Sequence, residues 1–520
     1  MEKRYDGNIQ TISISADTVK KKLKKLKTNK SAGPDGIHPR VLKETAVTIS
    51  APLAIIFNKS IKQGQVPQSW KEAHITALHK KGSKKKAENY RPISLTAICC
   101  KVMESIIRDD IIEYMITNSL FADQQHGFVP NRSCMTQLIC VMEDWTRWID
   151  EGNNIDTVFL DFQKAFDSVP HERMMVKLEA YGITGEYKNW IRDFLKNRRQ
   201  RVVVGKEKSE WEIVKSGIPQ GSVLGPLMFV IFINDLPDAV SSTIKIFADD
   251  TKIYRKVNND EDREILQNDI NKLQEWAQTW QLHFNASKCK VMHKDYNNKY
   301  SNYKIDNKQL QKVSDEKDLG VTVDRELKFH KHVSQAVSKA NQVLGIAKST
   351  FSVLDKDTFP LVYKGQVRPH LEYRNIIWHP HYVADIIKVE SVQRRATKLI
   401  PGFQDKTYEE RLKELNLYSM EYRRKRGDMI QVYKILNQMD RIEPSTLFTM
   451  SQNTTRGHSK KIFKQRFEKE LRKFTFSQRV VDDWNSLTED IVSSESLNTF
   501  KSRLDKYWHT KWYKISATNV

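Results

Sequence analysis

Three features of the sequence predict an α+β fold. A run of β-branched and aromatic segments occupies residues 157–256, helical spacing of apolar residues precedes and follows it, and 39% hydrophobic with 10% aromatic content can fill buried cores. The 520 residues leave room for roughly three domains of about 150 residues each. This composition excludes a disordered chain, and 19 Gly with 15 Pro excludes a collagen-like or linker-like one.

In chain order, Val19, Leu23 and Leu26 fall at helical spacing within a lysine-dense stretch that ends at Lys30. This predicts a short amphipathic helix whose basic face either is solvated or meets nucleic acid. SAGPDG at 31–36 is a turn cluster, and a helical pattern begins near His38. A second basic loop, HKKGSKKK at 79–86, leads into NYRP at 89–92, and residues 98–116 read as a helix. TVFLDF (157–162) and RVVV (201–204) read as strands, while IKIFA (244–248) and TKIY (251–254) alternate around Asp249-Asp250, which predicts a β-hairpin. Beyond residue 350, helical patterns carry Arg394-Arg395 and Arg423-Arg424-Lys425-Arg426, read either as RNA contacts or as a solvated helix face.

The net charge of +22 attracts polyanions. A membrane partner is set aside, because the longest apolar run, 226–233, is far short of the roughly 20 residues a span needs. MEKRYDGNIQ carries no apolar signal segment, so the expected location is intracellular. Cys99, Cys100, Cys134, Cys140 and Cys289 show no CxxC spacing; neither a zinc site nor a disulfide framework is expected, and a reducing compartment follows.

The chemistry concentrates at the hairpin tip. Adjacent Asp249 and Asp250 repel each other, and a second acidic strand end, Asp161, is flanked by Phe159, Leu160 and Phe162, where an uncompensated carboxylate is costly. Pairing of the two segments in one sheet would bring three carboxylates together, a hard-oxygen site suited to Mg²⁺ and to phosphoryl transfer. Lys80, Lys81 and Arg91 bracket a loop suited to triphosphate oxygens, whereas Lys84 to Lys86 read as surface charge. In SGIPQGSVLGP at 216–226, glycines permit close backbone approach and Gln220 can hydrogen-bond to a base or sugar edge. His171 reads as structural.

Together these motifs resemble the reverse transcriptases of non-LTR (LINE-type) retrotransposons, most closely the chicken-repeat and jockey-like lineages. The resemblance runs from NKSAGPDGI at 29–37 to WNSL at 484–487 and includes AENYRPISL, QHGFVPNRS, VFLDFQKAFDSVPH, SGIPQGSVLGPLMFVIFINDL, IFADDTKIY, LHFNASKCKVM and LGVTVD in the family's order. It implies a right-hand polymerase: a basic N-terminal segment (1–30), fingers (31–150), a palm with an antiparallel sheet (151–315), a helical thumb (316–350) and a basic, mainly helical C-terminal domain (351–520). It also implies RNA-directed DNA polymerase activity on an RNA template, a DNA primer end and deoxynucleoside triphosphates, with two Mg²⁺ ions or Mn²⁺ in their place. Asp161, Asp249 and Asp250, with the Phe162 carbonyl, match the metal ligands, and Phe166 matches the aromatic gate against a 2′-hydroxyl. Lys80 and Arg91 match the triphosphate-holding residues, Gln220 and Gly221 the loop at template and nucleotide, and Lys288 the lysine near the leaving pyrophosphate. Residues 319–321 match the primer-gripping strand.

Family members usually carry an endonuclease ahead of the polymerase, whereas about 30 residues precede the first motif here, so either a truncated copy lacking that nuclease or a fragment of a longer reading frame is expected. Neither an RNase H constellation nor a Cys-His knuckle is visible. The expected location is the cytoplasmic ribonucleoprotein and the nucleus. A catalytically retired copy that only binds nucleic acid is the alternative, and intact acidic positions, Phe166 and Gln220 weigh against it. An RNA-templated RNA polymerase shares the same logic, but the bulk of Phe166 opposes it.

Overall fold

The computed structural model describes residues 3–80, 82–294, 298–351, 353–452 and 457–509. Its central sheet has the strand order Gln311–Lys312, Lys290–Lys294, Ile155–Leu160, Asp250–Lys256, Thr243–Phe247. All pairings are antiparallel except that of Gln311–Lys312 with Lys290–Lys294. Ile155–Leu160 takes the centre because its two faces are both apolar. Val158 and Leu160 alternate with Ile155 and Phe159, so neither face can be left in water.

The sheet thereby separates two hydrophobic cores. Val158, Leu160 and Ile253 enter one, with Phe57, Ile107, Trp190 and Phe229. Ile155 and Tyr254 enter the other, with Trp145, Val323, Trp378, Trp484 and Phe500. Helix Cys134–Asp150 packs in this second core beside the C-terminal helices. A second sheet pairs Tyr90–Leu95 with Glu72–His79 and then Arg199–Val204, which carries the short strands Glu207–Lys208 and Glu212–Ile213.

Ser15 caps helix Ala16–Lys24 by accepting the Thr18 N–H, and Val19 and Leu23 are fully buried in the first core. His38 caps Pro39–Glu44, with proline in the first turn where its missing N–H costs nothing. The expectation of a strand-rich middle needs correction: helices His171–Ala180, Gly185–Leu195 and Gly225–Phe232 lie between the strands. Tyr187, Trp190, Ile191 and Phe194 carry the spacing of a buried helix stripe that the neighbouring β-branched runs obscured. Beyond residue 351 every named element among the described residues is helical. Among those residues no helix is long and apolar enough to cross a membrane.

Most arginines of the basic C-terminal cluster pack against or pair with other helices of the chain. Arg423 bonds Glu372, Arg424 is 1% exposed, and Arg426 makes a fork of 2.6 and 2.9 Å to Asp505 on helix Leu497–Tyr507. Arg395 donates to Asn341 at 3.0 Å, and Arg394 lies 4.9 Å from the Tyr408 ring centre. In the WNSL motif, Trp484 is fully buried and Asn485 bonds both backbone groups of Ile462 at 2.9 and 2.8 Å.

Two ion pairs tie the central sheet to the hairpin Asp315–Asp318/Val321–Asp324: Lys290 to Glu316 at 2.6 Å, and the more buried Lys252 to Asp318, with side chains only 2% and 4% exposed. Removing one partner strands a buried charge. Asp318→Ala is expected to destabilise the protein by about 3–5 kcal/mol in urea unfolding, and the pair replacement Lys252→Met/Asp318→Leu to recover most of that loss.

Candidate active site

The hairpin Thr243–Phe247/Asp250–Lys256 turns at Ala248 and Asp249. Ala248 adopts φ +54°, an unfavourable left-handed conformation for a residue with a Cβ. It is held there by Gln125, 1% exposed, whose Oε1 accepts the N–H groups of Ala248 (3.1 Å) and Gly127 (2.7 Å). The His126 N–H donates to the Ile246 carbonyl at 2.8 Å, and the Ile246 N–H to the Gln124 carbonyl at 2.9 Å. A Cβ on Gly127 would lie 2.5 Å from the Ala248 nitrogen, so only glycine fits. The QHG of QHGFVPNRS is therefore the clamp on the acidic tip. Sequence reasoning gave Gln125 no role, since the backbone it holds lies 123 residues away along the chain.

Leu160 pairs with Thr251, which puts Asp161 at the strand end beside the tip. Its carbonyl accepts the Asn285 N–H at 2.7 Å, and its N–H donates to the Cys289 sulfur at 3.5 Å. Phe162 is buried and stacked on Phe284 with centroids 4.5 Å apart, which locks the chain after the carboxylate. Burial and the charge of Asp161 push the Asp249 carboxyl above its ordinary value, with Lys80 and Arg91 opposing. Burial, then Asp249 and Asp318, push Asp250 up to about 6. Burial also raises the Cys289 thiol to about 11, so no thiolate competes beside Asp161.

Asp161, whose charge raises the Asp249 carboxyl, and Asp249, whose charge raises that of Asp250, form with Asp250 a donor set that suits a hard divalent cation. Among the described residues, no group of three or more His, Cys, Asp or Glu closes to ligating distances. Mutual repulsion acts against closure, and the Lys288 ammonium sits 3.1 Å from Asp161 Oδ1 in the position of a counter-charge.

Lys80 and Arg91 lie at the end of hairpin Glu72–His79/Tyr90–Leu95, where the Lys80 N–H donates to the Asn89 carbonyl at 2.8 Å. Both residues are exposed and near enough to the tip for their charges to oppose the rise of the Asp249 carboxyl. Lys84 to Lys86 are exposed on the connecting loop, and Lys81 lies outside the described residues.

Phe166 stacks on Phe229 at 4.5 Å, and its carbonyl accepts the Ile218 N–H at 2.7 Å. Gly221 has φ +113°, and a Cβ there would lie 2.6 Å from the Ser94 carbonyl; the Ser94 N–H donates to the Gln220 carbonyl at 2.7 Å. The loop is thus fastened to strand Tyr90–Leu95. His171 Nε2 bonds the Gly217 carbonyl at 2.9 Å, a structural contact. Leu319 and Gly320 form the turn between Asp315–Asp318 and Val321–Asp324, where a Cβ on Gly320 would meet the Tyr373 ring at 2.8 Å.

A family model described as reverse transcriptase (RNA-dependent DNA polymerase) matches residues 79–336. Residues 79–336 belong to the reverse transcriptase family. That reverse transcriptase domain contains every candidate site residue named above. The chain is 28% identical to the probable RNA-directed DNA polymerase from transposon BS of Drosophila melanogaster, over 74% of this chain and 44% of that protein. It is 29% identical to the probable polymerase from transposon X-element of the same species, over 72% and 42%. It is also 26% identical to the RNA-directed DNA polymerase from mobile element jockey, again of Drosophila melanogaster, over 77% and 45%. The chain thus spans less than half the length of these relatives.

Asp250 is ionised at pH 7 in the folded and the unfolded chain, but the folded chain alone bears the cost of its raised pKa. That cost fades as the pH falls through about 6 and vanishes below the ordinary carboxyl value near 4. Without divalent cations, Asp250→Asn is therefore expected to stabilise the protein at pH 7 by about 1 kcal/mol after allowance for solvent exposure, and to give no gain near pH 4, read from thermal unfolding.

Proposed function

We propose that this chain is the RNA-directed DNA polymerase of a non-LTR retrotransposon, extending a DNA primer 3′-hydroxyl on an RNA template. The reading is supported by the strand register that sets Asp161 beside the Asp249-Asp250 tip, with the charges of Lys80 and Arg91 acting on Asp249. On this reading residues 31–150 are fingers, 151–315 palm, 316–350 thumb and 351–520 a C-terminal domain. The cofactor is Mg²⁺, two ions, with Mn²⁺ able to substitute.

Asp161, Asp249, Asp250 and the Phe162 carbonyl would hold the ions. Bound there, they supply the Lewis acidity that makes the primer hydroxyl nucleophilic and neutralises the departing pyrophosphate. The chain's own residues position the reactants. Lys80 and Arg91 hold triphosphate oxygens by charge-assisted hydrogen bonds. The Phe166 ring, fixed against Phe229, leaves no room for a ribose 2′-hydroxyl. Gln220 and Gly221 line the nucleotide and template side, and Lys288 is a solvent-accessible cation, 52% exposed, for the leaving phosphate. Basic side chains along the template-primer path make binding salt-dependent through counterion release.

The purified chain is expected to extend a DNA primer on an RNA template with deoxynucleotides and Mg²⁺. Asp249→Asn should reduce extension by about 10³-fold or more, a loss of several kcal/mol of charge stabilisation, with RNA binding retained. A wild-type chain without extension, or an Asp249→Asn chain as active as wild type, would overturn the reading.

A further inference from the structure

The loop that carries Gln220 rests on the segment after Phe166, and most of that contact is backbone. The Ile218 N–H donates to the Phe166 carbonyl (2.7 Å), the Gly217 N–H to the Val169 carbonyl (3.0 Å) and the Ser216 hydroxyl to the Asp167 carbonyl (3.2 Å). A Cβ on Gly217 would lie 2.5 Å from the Asp167 carbonyl oxygen, so the two chains touch without intervening side chains. The Asp167 carboxylate contributes to none of these bonds. Its hydrogen-bond partner is the Gln220 side chain, whose Nε2 donates to Oδ1 at 3.0 Å. Partial desolvation raises the Asp167 carboxyl above its ordinary value, with the Gln220 bond and the charge of Lys164 opposing, although the residue is exposed. A carboxylate placed against an amide in this way is a poor device for stability.

It is a good device for fixing orientation. A glutamine amide has two nearly isosteric ends, a donor and an acceptor, and can present either by a half-turn. An ionised carboxylate only accepts, so it captures the NH₂ end and turns the carbonyl oxygen away from itself. We propose that Asp167 is a positioning residue that fixes the Gln220 amide so that its Oε1 is the group offered to the nucleotide and template. The ligand group met by Gln220 is then a donor, a sugar hydroxyl or a base N–H, and not a phosphate oxygen. This proposal rests on the polymerase reading for its consequence, though not for the hydrogen bond itself.

In primer extension, Asp167→Ala and Gln220→Ala are each expected to raise the KM for deoxynucleotide about 10-fold, with kcat within about 3-fold, and the double variant to be no worse than either single. Asp167→Asn should restore most of the affinity, since its Oδ1 still accepts. Gln220→Glu, which sets two carboxylates against each other, should be impaired and should be rescued by adding Asp167→Asn. Additive singles, or Asp167→Ala with unchanged KM, would remove the role while leaving the polymerase assignment intact. A second readout needs no activity: in protein labelled with ¹⁵N at glutamine, the Gln220 side-chain NH₂ signals, assigned by their loss in Gln220→Ala, should shift in Asp167→Ala and stay close to wild type in Asp167→Asn. Unshifted signals in Asp167→Ala would overturn the proposal whatever the polymerase assay shows.

Discussion

Three carboxylates are held beside one another against their own repulsion, and the rest of the molecule is arranged to keep them there. Asp161 follows the strand Ile155–Leu160, Asp249 lies in the turn of the hairpin paired to it, and Asp250 opens that hairpin's second strand. A register slip of one residue would send every side chain of that strand to the opposite face. Burial of both faces, one in each core, forbids that slip. The Gln125 clamp then fixes the tip, and the Lys252–Asp318 pair anchors the strand that follows it. Stability in the cores and in these braces is what tolerates the destabilised rim.

The charge of the chain divides into two populations with different work. Part of the surplus is spent inside: Arg426 and Asp505 form a fork between two helices, Arg479 does the same with Asp428, and Lys177 lies 3.5 Å from the Trp280 ring centre while paired to Asp235. Such side chains offer little to a phosphate backbone. The exposed population includes Lys80 and Arg91, whose charges reach Asp249, and Lys84 to Lys86 on the loop between them. A count of +22 from the sequence does not distinguish the two.

Local patterns in the sequence located the main elements of the site. The alternation around Asp249-Asp250 gave the hairpin, the run after Thr157 gave its partner strand, and the helix over 98–116 appears as Ile98–Thr117. What escaped was set by contacts distant along the chain. The use of Gln125 as a clamp depends on a strand more than a hundred residues away, as the 123-residue separation from Ala248 shows. The bond from Gln220 to Asp167 likewise spans 53 residues, and nothing in either motif alone announces it. The arginine-rich run on helix Met420–Leu436 left an RNA contact and a solvated face both open, because its acidic partners, Glu372 and Asp505, lie in other helices.

The most direct test of the carboxylate rim is the effect of Mg²⁺ on thermal unfolding at constant ionic strength and without nucleic acid. If the rim is a divalent-cation site whose repulsion the cation relieves, Mg²⁺ at about 100 times its dissociation constant should stabilise the protein by about 2.7 kcal/mol, raising Tm, and a chain with Asp161→Asn, Asp249→Asn and Asp250→Asn together should show no such rise. An equal rise in both proteins, or none in the wild type, would contradict the assignment of these three side chains as the cation site.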